Sequence, residues 1–333
     1  MSAAKQNLQV QKWVAGISIA LLLVKFAAYY FTRSVSILTD ALESIVNVAA
    51  GLIGLYSLFV AAKPRDRDHP YGHGKAEFLS AAVEGTMIGI AGVIIIYKSV
   101  QQFIYPTELA RLDLGIILVS STALVNLFLG VYCVRIGRKN SSLALIASGK
   151  HLQTDTISTL GIVAGLVVIY FTGWDWIDGV IAICFGLFII YMGYRILRRS
   201  IAGIMDEADE KLVTKLAELL EQQRQTEWVD LHNLRVIKYG AVLHIDCHLT
   251  VPWYFNVHEA HVEIDQLAAI VRGEFGETVE LFVHSDGCLP FQCPICNKAD
   301  CPVRQHNFVK RIPWTLENIS QDEKHRLKED KVI

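Results

Sequence analysis

Six long apolar stretches crowd into the first 200 residues, near 13–31, 35–62, 79–105, 114–134, 145–170 and 177–196. Each is about 20 residues or longer, enough at about 1.5 Å per residue to cross the hydrocarbon of a bilayer as a helix. The first is too long, and too soon followed by a second, to be a cleaved signal peptide. The interruptions are short and carry helix breakers, Lys63-Pro64, Pro106 and Gly173. A chain so built is expected to be an α-helical membrane protein with six transmembrane helices over residues 10–200.

Charge divides the chain at the same place. Charged residues make up 14% of the first 200 positions and 27% of the rest, with a net charge of −2 overall. That balance excludes a nucleic-acid binder, a disordered chain and a disulfide miniprotein. With the N-terminus inside, twelve Lys and Arg flank the spans on the inner side against Arg33 and Arg111 outside. The excess predicts both termini in the cytoplasm. The cysteines beyond residue 200 then face a reducing compartment, where they stay thiols or bind metal.

Beyond the last span the pattern predicts a helix from Asp206 to about Gln223, strands over 232–238 and 242–251 around a Tyr239-Gly240 turn, a helix over 256–275 and a strand over 278–283. This αββαβ order makes residues 205–287 a small α+β domain of the ferredoxin-like kind. A Cys-rich appendage over 288–306 follows. A charged tail over 307–333 is expected to fray beyond about Ser320.

Ionisable groups inside spans are costly and read by default as functional. The second span carries Asp40, Glu43 and Asn47, whose spacings of three and four share one helical face. The fifth carries His151 and Asp155 at i and i+4. Two such stripes facing each other form a four-ligand site for a divalent transition ion. Asp40 and Asn47 are equally open to a plainer role as hydrogen-bond glue between helices. Lys25, Glu84 and Lys98 are expected to be ion-paired or to snorkel. In the loop after the second span, Asp66, Asp68, His69 and His73 offer a second, more exposed set, unless the loop is simply solvated.

The strings Ser-Val-Ser-Ile-Leu-Thr-Asp-Ala-Leu-Glu-Ser-Ile-Val-Asn, then Asp-His-Pro-Tyr-Gly-His-Gly-Lys-Ala-Glu, then His151-x-x-x-Asp155 resemble the cation diffusion facilitators over residues of about 10 to 288. The resemblance implies a homodimeric secondary transporter in the membrane, exporting divalent metal in exchange for protons. It also implies a cytoplasmic domain whose zinc ligands at the dimer interface fall on His232, His248, His261, His284 and Asp286. The fifth-span pair matches the family outright. The second-span pair falls on Glu43 and Asn47, where the family has Asp or His and then Asp, so the metal's identity is less constrained than the function. His244 and His258 have no counterpart and are expected to be surface or core histidines; all seven are alternatively pH-sensitive surface groups.

Cys288, Cys293, Cys296 and Cys301 fall within 14 residues, with His306 near by. A C-x₂-C knuckle between two further cysteines has the spacing of a closed Zn–S₄ site, with redox sensing as the alternative. This cluster goes beyond the family's common pattern. Cys133, Cys184 and Cys247 are expected to be buried small hydrophobes. Zn²⁺ is the first choice of cargo, and is also expected as a structural ion in the cytoplasmic domain and tail. Fe²⁺, Mn²⁺, Co²⁺ and Cd²⁺ remain open, as does a metal sensor that transports nothing. An intramembrane metalloprotease is disfavoured because no His-Glu-x-x-His helix is present, so no enzyme is expected. The expected setting is a bacterial inner membrane.

Overall fold

The computed structural model describes residues 3–105, 109–139, 143–239, 242–276 and 279–327. Pro106, Gly240 and Thr278, used above to place two turns and a strand, lie outside these residues. The chain divides into two compact units, Met1–Leu58 with Leu79–Ile201, and Phe59–Phe78 with Ala202–Ile333. The loop after the second apolar stretch thus belongs to the second unit.

The membrane helices are α1 (Ala3–Thr32), α2 (Val35–Ala61), α3 (Ala76–Ile104), α4 (Leu112–Lys139), α5 (Leu143–Thr172) and α6 (Trp176–Ile204). All six are long and apolar enough to cross a membrane. Several overrun the apolar stretches that announce them, because helical hydrogen bonding does not stop where the hydrocarbon does. Small residues let the backbones touch. A Cβ built on Gly193 of α6 would lie 2.7 Å from the Gly85 carbonyl of α3, and one on Gly149 of α5 would lie 2.7 Å from the Gly130 carbonyl of α4.

The start of α2 is held by a buried carboxylate from α6. Asp178 Oδ2 accepts from Val35 N at 2.7 Å, and Oδ1 accepts from Ser34 Oγ at 2.6 Å and from the Ser36 hydroxyl. An anion at a helix N-terminus satisfies otherwise orphaned donors and complements the helix dipole. This contact sets where the polar face of α2 lies, and nothing in the apolar patterning announced it.

In the second unit, α7 (Glu210–Gln222), β1 (Asp230–Tyr239), β2 (Val242–Val251), α8 (Val257–Phe275) and β3 (Glu280–Gly287) follow the αββαβ order. The sheet order is β1-β2-β3. β1 and β2 pair antiparallel, whereas β2 and β3 pair in parallel with α8 as the crossover. Leu216 and Leu220 of α7 and Leu267 and Val271 of α8 share one buried core with Leu231, Ile245 and Leu249 of the sheet. α7 begins later than Asp206 because the Asp209 side chain accepts from Leu212 N at 3.2 Å and caps the helix there. β3 runs past Val283 because its pairing with β2 continues to Gly287.

Two expectations need correction. Cys184 is exposed on α6, unlike Cys133 and Cys247, which are buried. The segment beyond Ser320 does not fray at once. Gln321 O accepts from Asn233 N at 2.7 Å, Lys324 Nζ donates to Gly287 O at 3.0 Å, and His325 N donates to Asp230 Oδ2 at 2.7 Å. The segment is held because Trp314 and Ile319, just upstream, are part of the domain's core.

Candidate metal centres

The polar faces of α2 and α5 meet at two rungs. At the first, Asn47 Nδ2 donates to Asp155 Oδ2 at 3.1 Å, with His151 Nε2 3.8 Å from the same oxygen. At the second, Thr159 Oγ1 donates to Asp40 Oδ1 at 2.8 Å. The two rungs are one turn apart on α5, from Asp155 to Thr159, and about two turns apart on α2, from Asn47 to Asp40. Glu43 lies within electrostatic reach of Asp155, Asp40 and Lys25. Among the described residues, however, Glu43 does not join His151 and Asp155 in a set whose ligand atoms all lie within 4.8 Å of one another.

Asp40 is engaged elsewhere. Its Oδ1 also accepts from Lys25 Nζ of α1 at 2.8 Å, and that ammonium donates to Ser44 Oγ at 2.9 Å. Both side chains of this ion pair are only 2% exposed. The pair neutralises two charges that neither lipid nor protein would tolerate singly. The second-span stripe is thereby split into an ion-paired Asp40 and a freer Glu43 and Asn47. Lys98, by contrast, is half-buried and donates to Gln101 Oε1 at 3.3 Å.

Among the described residues, two sets of three possible ligands do close within 4.8 Å, Asp66 with His69 and His73, and His232 with His248 and Asp286. In the first, Asp66 Oδ1 is 3.2 Å from His69 Nδ1 and Oδ2 is 3.4 Å from His73 Nε2. Asp66 also accepts from the backbone N–H groups of Asp68 and His69, and the latter is the main cause of its lowered pKa. Asp68 offers the turn its backbone, and its side chain does not join the set.

The second set is a product of strand register. His232 stands opposite His248 across β1 and β2, and His248 stands beside His284 across β2 and β3. The ring centroids are 5.1 and 4.7 Å apart along this row. Asp286, two residues beyond His284 on the same face, lies 3.5 Å from His232 Nε2 and 3.3 Å from His248 Nδ1. A bulge follows His232, with Asn233 in the left-handed region (φ 52°) and its amide nitrogen 3.2 Å from His248 Nε2. Burial, ahead of all other influences, lowers the His232 pKa despite Asp230 and Asp286, which favours the neutral ring that binds metal. Its Nδ1 has no hydrogen-bond partner among the described residues. The donor set therefore suits a divalent ion.

His261 does not join this row; it is exposed on α8, with Asp265 at 3.8 Å. His284 stands at the row's end, 3.7 Å from the other oxygen of Asp286. His244 is buried against Glu280 at 3.2 Å and packs edge-on to Tyr71 and Tyr239.

A family model described as the cation efflux transmembrane domain matches residues 13–205, and one described as the cation efflux protein cytoplasmic domain matches residues 208–288. The chain belongs to the cation efflux family. It is 33% identical over 246 residues to an uncharacterized transporter of Synechocystis sp., covering 74% of this chain and 79% of that one. It is 27% identical over 277 residues to the cation-efflux pump FieF of Citrobacter koseri and 28% identical over 276 residues to that of Klebsiella pneumoniae, each match covering 80% of this chain and 88% of the relative.

As a cation efflux protein the chain has two features with no sequence warning. Lys324 reaches the sheet cluster, its Nζ 3.3 Å from Asp286 Oδ1. His325 pairs closely with Asp230, which borders the same cluster, and Gln292 Nε2 donates to Asp230 at 3.2 Å. Burial works against a charged His325, but the hydrogen bond and charge of Asp230 outweigh it and raise its pKa. Both residues sit in a stretch whose composition reads as a solvated tail, so only their positions in the fold reveal them.

The cysteines follow directly from β3, Cys288 as the last of the matched residues and the other three beyond them. Cys288, Cys293, Cys296 and Cys301 are all partly buried. They are gathered more loosely than the two His–Asp sets. They are nonetheless close enough that, after burial, Cys293, Cys296 and Cys301 all add to the raised pKa of Cys288. The His306 ring is exposed.

Proposed function

We propose that this cation efflux protein exports a divalent metal, Zn²⁺ first, by alternating access in exchange for protons. It does so as a homodimer in a bacterial inner membrane, with both termini cytoplasmic. The observation that carries the proposal is the Asn47–Asp155 bond, which joins the ligand-bearing faces of α2 and α5 beside His151. The cargo binds through Glu43, His151 and Asp155, with Asn47 as a neutral oxygen donor. Asp40 serves as the counter-charge to Lys25 rather than as a ligand. Outside, protonation of His151 or a carboxylate competes with the metal, since these ligands bind it deprotonated. One imidazole without thiolate suits zinc, while the added oxygens of Glu43 and Asn47 keep Fe²⁺, Mn²⁺, Co²⁺ and Cd²⁺ within reach.

Reconstituted vesicles provide the test. Zn²⁺ uptake driven by a pH gradient is expected, and Asp155→Ala should reduce it to background while the protein stays folded. Failure of well-folded protein to move any of the five ions would overturn export and leave a metal sensor.

His232, His248 and Asp286 are proposed to hold a resident ion at the dimer interface, with His284 beside them. The exposed set of Asp66, His69 and His73 is a further, weaker site. In the sheet cluster Lys324 stands against the same carboxylate that a metal would use. Lys324→Met is therefore expected to tighten Zn²⁺ binding there, by about two- to fivefold if the ion pair contributes up to about 1 kcal/mol. Competition against a chromophoric chelator reads this directly. Unchanged or weaker binding would show that Lys324 does not compete.

A further inference from the structure

We propose that Cys288, Cys293, Cys296 and Cys301 form a tetrathiolate zinc site that folds the polypeptide after β3 into a clasp over the sheet. Three of its four ligands lie beyond the residues matched by the family, with Cys288 the last matched residue, and the site is independent of the transport proposal.

The backbone around the four thiols is already shaped. Cys288 N donates to Val251 O at 2.9 Å, fixing the first cysteine to the end of β2. A 3₁₀ turn over Pro290–Ile295 then brings the chain back, and Cys296 N donates to Cys293 O at 3.3 Å across the knuckle. Gln292, fully buried in that turn, bonds Asp230 and so ties the knuckle to β1. The fork of Arg304 closes the far side, donating to the carbonyls of Cys293 at 3.1 Å, Cys296 at 3.1 Å, Lys298 at 2.6 Å and His306 at 3.3 Å. A guanidinium spent on four carbonyls of one short loop holds the loop's curvature without using the sulfurs.

Four sulfurs presented by such a frame suit Zn²⁺, which takes four thiolates tetrahedrally at about 2.3 Å. Binding ionises the thiols and releases their protons, so no oxidant or reductant is needed. The chemistry of the set excludes His306 as a necessary ligand, since four cysteines already saturate the ion. The clasp also sets the path of the chain toward Trp314, Lys324 and His325, all of which return to the domain.

The test uses full-length protein, reduced and in detergent, loaded with Co²⁺ in place of zinc. Sulfur-to-cobalt charge-transfer absorption reports thiolate ligation only, so the His and Asp sites are silent in it. The expected result is a band saturating at one Co²⁺ per chain, suppressed by Zn²⁺ and lost in Cys293→Ser/Cys296→Ser. It should persist in His306→Ala and in a Cys133→Ala/Cys184→Ala/Cys247→Ala variant, which retains all four proposed ligands and so traces the band to them even if the double variant misfolds. Absence of the band in wild type, its loss with His306→Ala, or a Cys293–Cys296 disulfide in its place under reducing conditions would each overturn the proposal.

Discussion

Lys25→Met should destabilise the membrane domain by about 3–5 kcal/mol, the usual cost of stranding one partner of a buried ion pair. Asp40 would be left with Thr159 as its remaining side-chain donor, in a site where both partners of the pair are 2% exposed. It must then take up a proton or draw in water, and the junction of α1, α2 and α5 loosens in either case. The double variant Lys25→Met/Asp40→Leu removes both charges and should recover most of the loss, because well-packed apolar pairs often replace buried ion pairs without penalty. Thermal unfolding of the detergent-solubilised protein, followed by the loss of monodisperse material, measures both. A single variant as stable as wild type would mean that the Asp40 charge is balanced by something other than Lys25. Since Asp40 faces the α2–α5 junction, the single variant should also impair transport more than the double one.

Trp314→Ala is expected to be the costliest change in the second unit, at about 3–5 kcal/mol for loss of a buried tryptophan. Trp314 is 3% exposed. The guanidinium of Arg224 stacks on its ring at 4.0 Å and donates to Ile312 O at 3.0 Å, while Trp314 N donates to Glu221 Oε2 at 3.1 Å. The same guanidinium bonds Val229 O at 2.6 Å and Trp228 O at 3.1 Å, so one side chain links α7, the approach to β1 and the returning tail. Losing the indole should therefore release Lys324 and His325 as well. Amide exchange in the full-length protein should show faster exchange in α7 and β1, and a chain ended after His306 should behave alike. Wild-type protection in either variant would show that the tail rests on the domain without supporting it.

These two residues mark the limits of what patterning can reveal. Lys25 is visible in the sequence as a charge in an apolar stretch that calls for a partner, but fifteen positions separate it from Asp40 and nothing local names that partner. Trp314 lies in a stretch that reads as a charged tail, because one buried aromatic in a polar segment has no period to betray it. The same holds for Asp178, which looks like a polar residue at a span entrance until its carboxylate is seen at the start of α2. His232, His248 and Asp286 were legible as candidates, but His261 carried equal weight in the sequence and stands apart from them in the fold.

Alone, the sequence determined the six spans, the αββαβ order, the family and the stripes of possible ligands. All of these are written in local periodicity and short-range spacing, which the chain cannot satisfy otherwise without burying unpaired backbone or charge. Tertiary structure decided which candidates meet. Pairing β1, β2 and β3 in one register makes a row of three histidines. The packing of α1 against α2 and α5 takes Asp40 for Lys25 and leaves Asn47 with Asp155. Such choices depend on contacts between positions tens to hundreds of residues apart, and only the packed chain contains that information.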